Sequence, residues 1–213
     1  MQIIIDAWNY FLSDQTRFWR LTGQHMVLSL SALAVAVLVC VPLGIAISRR
    51  PGFAQPVINV VNALRVLPSL VILFLALPYL GLGFRPSLIA LTLLAMPPVL
   101  INTYAGMRGV DRAVVEAAKG MGMSASQRLR QVELPLALPA IVAGIRTAAV
   151  EVVASATLAA FIAGGGLGDY ITRGFALNRT VIMLVGAVAV AVLALLIELS
   201  LGALQRTLTP RGA

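Results

Sequence analysis

Charge is scarce in this sequence. Only 11% of the 213 residues are Asp, Glu, Lys or Arg, against 60% hydrophobic, and mean hydropathy is +0.95. Soluble domains carry about 25% charged residues, so that class is excluded. Cysteine is nearly absent. Cys40 stands alone inside an apolar run, which rules out a disulfide within the chain and reads as a packed, inert thiol. Lysine is rarer still than arginine. A P-loop nucleotide site needs GxxxxGK followed by Ser or Thr, but the single lysine, Lys119, is followed by Gly120. No Walker site exists in these residues, and any ATP and magnesium are expected on a separate subunit. A basic leader is missing too: Asp6 and Asp14 stand near the N-terminus, and the first apolar run is too long for a secretory signal. Acidic residues number 8 against 16 basic, a net charge of +8. The arginines flank apolar runs and form no basic stripe with interleaved aromatics, so no nucleic acid is expected. Anionic lipid headgroups are the expected partner of these charges.

What remains is long apolar runs with charges at their ends, which predicts an all-α, polytopic integral membrane protein. Residues 1–25 mix Trp8, Tyr10, Phe11, Phe18 and Trp19 with charges and read as an interfacial segment. Five spans follow, at about 26–48, 57–80, 87–107, 134–163 and 180–204. The second contains Asn59, Asn62, Arg65 and Pro68, and a break at Pro68 into two segments is the rival reading. Gly164, Gly165, Gly166 and Gly168 break the chain after the fourth span; Asp169 defeats a G-x-G-x-x-G phosphate loop, and a tight turn with a short interfacial helix over 169–179 is expected.

Loop charges predict orientation. Arg49, Arg50, Arg108, Arg112, Lys119, Arg128, Arg130, Arg206 and Arg211 fall on one side; Arg17, Arg20, Arg85, Arg173 and Arg179 fall on the other. The positive-inside rule places the larger set in the cytoplasm, with the N-terminus outside and the C-terminus in the cytosol.

One polar island interrupts this pattern at 108–134. Asp111 is placed to cap a helix through Val114, Val115, Ala117 and Ala118, and Gly120 with Gly122 to stop it. Ser124 and Gln127 form a capping box that opens a second helix, whose end Pro135 marks. The small residues Ala117 and Ala118 would let a partner's groove approach, and Glu116 offers a charge to pair. An ordinary solvated loop is the bland alternative.

The island's spacing decides between them. Glu116-Ala117-Ala118, Gly122, Val132, Leu134 and Pro135 match the cytoplasmic EAA loop of ATP-binding-cassette importer permeases, with Val132 replacing Ile. Over about 22–204 the chain resembles the osmoprotectant branch of that family, which moves glycine betaine, choline, carnitine and similar compounds. The narrower likeness rests on Arg65-Val66-Leu67-Pro68-Ser69, on 144–151 (GIRTAAVE), on 154–160 (ASATLAA) and on 164–169 (GGGLGD). The resemblance implies a type I importer permease fold with three parts: an external segment 1–21, a permease domain 22–204 with coupling loop 108–134, and a cytoplasmic tail 205–213. It implies no enzyme activity, catalytic residue or metal in this chain. It further implies a second permease chain (identical or not), a cytosolic ATPase dimer binding ATP and magnesium, and a separate external substrate-binding protein, all at the cell inner membrane. Coupling would rest on Glu116, Ala117, Ala118, Gly120, Gly122 and Met123.

Charges at membrane depth mark further candidates, because they are costly unless they face a cavity or a partner. Glu151, Arg65 and Asn62 are candidate pathway residues. Glu151 would favour a quaternary ammonium group, or else form an ion pair with Arg65 or Arg146. Glu198 is left without a role. The aromatics cluster at span ends, which argues against a cation–π cage in the membrane. Other readings are a permease for an amino acid or thiol compound, a non-transporting scaffold subunit, or an ion-coupled carrier; neither of the last two predicts the island's spacing.

Overall fold

A computed structural model describes residues 2–208, and all regular structure among them is helical. The tail residue Arg211, counted above for orientation, lies outside the described residues. The chain runs through α1 (Gln2–Ser13), α2 (Gln15–Ser48), α3 (Pro51–Ala63), α4 (Ser69–Leu80), α5 (Phe84–Arg108), α6 (Arg112–Gly120), α7 (Ala125–Arg128), α8 (Leu134–Ser155), α9 (Gly168–Ala176) and α10 (Thr180–Leu208). A π-helical turn, Leu129–Glu133, joins α7 to α8, and a 3-10 helix, Ala156–Ile162, extends α8.

Four stretches are long and apolar enough to cross a bilayer: Gln15–Ser48, Phe84–Arg108, Ala125–Ile162 and Thr180–Leu208. The second run of the sequence is not one straight helix. α3 gives way to a 3-10 turn at Leu64–Val66, and α4 leaves at 92°. Pro68 causes the break: its ring disfavours the helical region for the residue before it, and Leu67 is accordingly extended, with ψ of 119°. The single-span reading of 57–80 gives way to two segments.

Neighbouring contacts show that these two segments together make one crossing. A Cβ on Gly44, late in α2, would lie 2.8 Å from Thr103, late in α5, while early in both helices Gln24 of α2 and Ser87 of α5 meet the adjacent glycines Gly165 and Gly164, so α2 and α5 run parallel. The Gly83 N–H donates to the Ile162 carbonyl at 2.7 Å, putting the start of α5 beside the end of α8. A chain that finishes α2 at one end and starts α5 at the other has to traverse the bundle between them. The architecture therefore has five crossings, the second of them broken.

The core is built from small residues. Leu28, Ala32, Ala36, Cys40 and Gly44 recur every fourth position on α2 and are all buried. They pack against Leu91, Ala95, Val99 and Leu100 of α5 and Ala148 and Val152 of α8. Apolar burial supplies little drive between helices in lipid, so close backbone approach has to supply it. Ala34 and Ala187 face outward, whereas Gly186 packs against Tyr170.

Residues 2–25 are more regular than an interfacial segment requires. They form α1 and the first turns of α2, meeting at Asp14. Tyr10 and Phe18 pack on Tyr170 of α9 and Phe11 on Phe18, in a shared apolar cluster. The Tyr170 hydroxyl donates to Asp14 at 3.0 Å, and Arg17 pairs with Asp169. Burial, then the hydrogen bond to Asp14, pushes the Tyr170 hydroxyl above its ordinary range and keeps it a donor.

Candidate functional site

The island forms a helix–turn–helix at the end of the bundle shared by the ends of α2 and α5 and the start of α8. The Asp111 carboxylate accepts from the Ala113 N–H at 2.9 Å and starts α6. The Met123 N–H donates to the Ala118 carbonyl and the Gly122 N–H to the Lys119 carbonyl, which is a Schellman closure. Gly122 occupies its left-handed position, with φ of +81°. Gly120 does not stop the helix; it is the last helical residue and has ordinary φ. Ser124 and Gln127 then make the reciprocal capping box of α7, at 2.8 and 3.3 Å. Every turn here is fixed by local hydrogen bonds, so a short sequence can specify it.

α7 does not end at Pro135. It continues through the π-helical turn into α8, making one helical path from island to membrane. The Leu134 N–H reaches back five residues to the Leu129 carbonyl. This wider turn admits Pro135, which has no N–H to donate and whose ring would crowd the carbonyl four residues earlier in an α-helix.

The sequence-derived coupling residues divide into presented and packed. Glu116 is 71% exposed at its side chain, and its one ion pair among the described residues is with Lys119 at 3.8 Å. Ala117, Gly120 and Gly122 are exposed. Ala118 is 2% exposed, so it does not offer a surface to a partner; it packs α6 onto the chain. Met123 is half-buried in the turn, where its carbonyl accepts from Arg128 at 3.0 Å. The protruding methionine is Met121, 77% exposed, which sequence reasoning missed. Also missed was the ion pair between Arg49 and Glu133 at 2.9 Å, which ties the end of α2 to the π turn. Both residues line a cavity of ≈ 410 Å³ with Arg108, Arg112 and Glu116. Only their proximity in the fold reveals this grouping, since the pair is far apart in sequence.

Deeper in the bundle, Arg65 and Glu151 line one cavity of ≈ 330 Å³ with Leu64, Leu94 and Pro97. Asn62 is exposed on α3 and is not part of its lining. Arg146 is not available to Glu151. It pairs with Glu198 at 2.6 Å and donates to Gln205 at 2.9 Å, joining α8 to α10. Gly202 leaves room for this guanidinium, 3.5 Å from where its Cβ would sit. Glu198, given no role from sequence, thus anchors α10. Arg146→Met should lower stability in detergent by about 1–2 kcal/mol, because the remaining carboxylate loses its partner. Arg146→Met with Glu198→Met should recover part of that loss, which a double-mutant unfolding cycle measures.

A five-crossing bundle that displays a capped helix–turn–helix at one end and holds a cavity bearing two opposite charges has the build of a multi-pass membrane permease. The chain belongs to the family of binding-protein-dependent transport system inner membrane components, whose model matches residues 39–211. It is 47% identical to the carnitine transport permease protein OpuCB of Listeria monocytogenes, covering 90% of this chain and 88% of that one. The choline transport system permease protein OpuBB of Bacillus subtilis is 46% identical over the same shares. Among solved structures, the inward-facing MetNI methionine ABC transporter superposes with a TM-score of 0.83, over 93% of this chain and 99% of that one, at 21% identity. That likeness speaks for the fold. The chain is thus an inner-membrane ABC transport permease of the type I fold.

Proposed function

We propose that this chain is the membrane subunit of an ATP-driven importer for small quaternary ammonium osmoprotectants such as glycine betaine, carnitine or choline. The observation that carries the reading is the exposed, fully capped helix–turn–helix bearing Glu116, held on the same helical path that enters the membrane as α8. The substrate class is taken from the relatives at 46–47% identity, named for carnitine and choline transport. Hydrolysis takes place on a separate cytosolic ATPase pair that holds ATP and magnesium. Glu116, Ala117, Gly120, Gly122 and Met121 meet that pair, while Ala118 and Met123 shape the turn from within. A second permease chain completes the pathway, and a substrate-binding protein docks at the end formed by α9 and the glycine turn. Residues 22–204 are the permease domain, with 1–21 outside and the tail from 205 in the cytosol. Loop charge supports this orientation: the island end carries Arg49, Arg50, Arg108, Arg112, Lys119, Arg128 and Arg130.

Purification under mild detergent tests the assembly. A P-loop ATPase should co-purify with this chain, and vesicles of the assembled importer should take up labelled glycine betaine, carnitine or choline only with ATP. ATP-independent uptake, or isolation of the chain without any ATPase, would overturn the proposal.

A further inference from the structure

The cavity between the broken second crossing and α8 holds two opposite charges that do not form an ion pair with each other. Glu151 lies 17 residues past the start of α8, or about 25 Å along the helix, and Arg65 lies in the 3-10 turn after α3. Measured from the island end, α3 brings Arg65 to a similar depth, about 20 Å in. Arg65 is exposed and Glu151 half-buried, both open to this cavity, and neither side chain makes a hydrogen bond or an ion pair among the described residues. The other basic group on α8, Arg146, is committed to Glu198 and Gln205. Two unpaired charges at membrane depth are expensive, and they persist in proteins where a cavity or a ligand uses them.

The surroundings fit that use. Backbone that is irregular at membrane depth is tolerated where it lines a cavity, and transporter sites are commonly built at such breaks. The turn at 64–68 is this kind of backbone. Opposite it, Leu94 lines the cavity at the point where Pro98 removes the N–H that its carbonyl would otherwise accept. A volume of ≈ 330 Å³ lies at the low end for ligand pockets and suits a small solute.

We propose that Arg65 and Glu151 form a binding site that reads the two charges of a zwitterionic betaine. The Arg65 guanidinium takes the carboxylate through two parallel N–H donors, a geometry that lysine or an amide does not reproduce. The quaternary ammonium has no N–H to donate, so it is held by the Glu151 charge and by carbonyl oxygen rather than by hydrogen bonds. A cation without a carboxylate, such as choline, engages Glu151 alone. The permease therefore adds its own selection for zwitterions to that of the binding protein. This rests on the importer reading above.

The test compares glycine betaine with choline in proteoliposomes containing the permease, its ATPase and its binding protein. Because the binding protein is the same throughout, any change in the ratio of the two substrates belongs to the permease. Arg65→Gln should lower the maximal rate for glycine betaine at least tenfold while leaving choline within twofold. Glu151→Gln should lower both. Arg65→Lys keeps the charge and should raise the KM for glycine betaine severalfold with choline unchanged, which covers the case where Arg65→Gln fails to insert. Where the wild type carries glycine betaine but not choline, loss in Arg65→Gln with a raised KM in Arg65→Lys supports the site. Equal loss of both substrates in the Arg65 variants, or wild-type transport of choline alone, overturns it. Carnitine, also a zwitterion, stands in for glycine betaine where the wild type prefers it, and wild-type transport of none of the three overturns the importer reading instead.

Discussion

Glu116→Lys is expected to abolish substrate uptake and substrate-stimulated ATP hydrolysis, while the permease inserts and purifies at the wild-type level. The two halves of this expectation come from the same geometry. The Glu116 side chain is 71% exposed, and its ion pair with Lys119 at 3.8 Å is an exposed pair that adds little to the fold. The elements that hold α6, namely the Asp111 cap, the Schellman turn at Gly122 and the buried Ala118, do not involve the Glu116 side chain. Reversing its charge therefore leaves the island's shape intact and changes only what a partner meets. Like charges brought together at an interface cost several kcal/mol, enough to lose a transient complex. The measurement is uptake and ATPase rate on reconstituted importer, with yield and thermal stability as controls. Uptake within twofold of wild type would remove Glu116 from the coupling surface. A matching substitution at Ala118 would fail for another reason, by unpacking α6, and stability would fall along with transport.

Features governed by local rules were readable from the chain alone. Long apolar runs gave five crossings because bilayer thickness sets their length. The island's caps were readable because Asp111, Ser124, Gln127 and Gly122 each act within a few residues. Burial on a short helix was harder to read. Ala117 and Ala118 are chemically identical, and only the docking of α6 decides which one turns inward. Proline was ambiguous in the same way. Pro68 breaks its span by 92°, whereas Pro135 is absorbed by a π-helical turn and the helix runs on. The difference depends on whether neighbouring elements support the freed backbone groups. Pairings across the fold, Arg49 with Glu133 and Arg146 with Glu198, were out of reach because nothing local to either residue names its partner. Removing Arg146 from the choices open to Glu151 is what gave the cavity its meaning.

Gly144→Val should be strongly damaging to the bundle. A Cβ at this position would stand 2.6 Å from both the Asn102 Cβ and the Pro98 carbonyl oxygen of α5. Neither neighbour has room to give: Pro98 is buried in the middle of a helix, and its carbonyl already accepts from the Asn102 side chain at 2.8 Å. α5 and α8 would have to separate, and overpacking of this kind costs about 1–3 kcal/mol for well-packed sites. In a membrane bundle, where close approach of backbones is the main attraction, the loss should fall at the high end. The thermal midpoint in detergent should drop by several degrees and the yield of folded protein should fall. Gly144→Ala should produce the same effect on a smaller scale. Gly120→Ala supplies the contrast, because a Cβ there meets nothing within 4 Å and alanine favours the helix that Gly120 ends. It should leave stability unchanged or slightly raised. Unchanged stability in Gly144→Val would mean that α5 and α8 slide freely. The contact between them could then not carry motion of the island, at one end of α8, to the Glu151 cavity near the other.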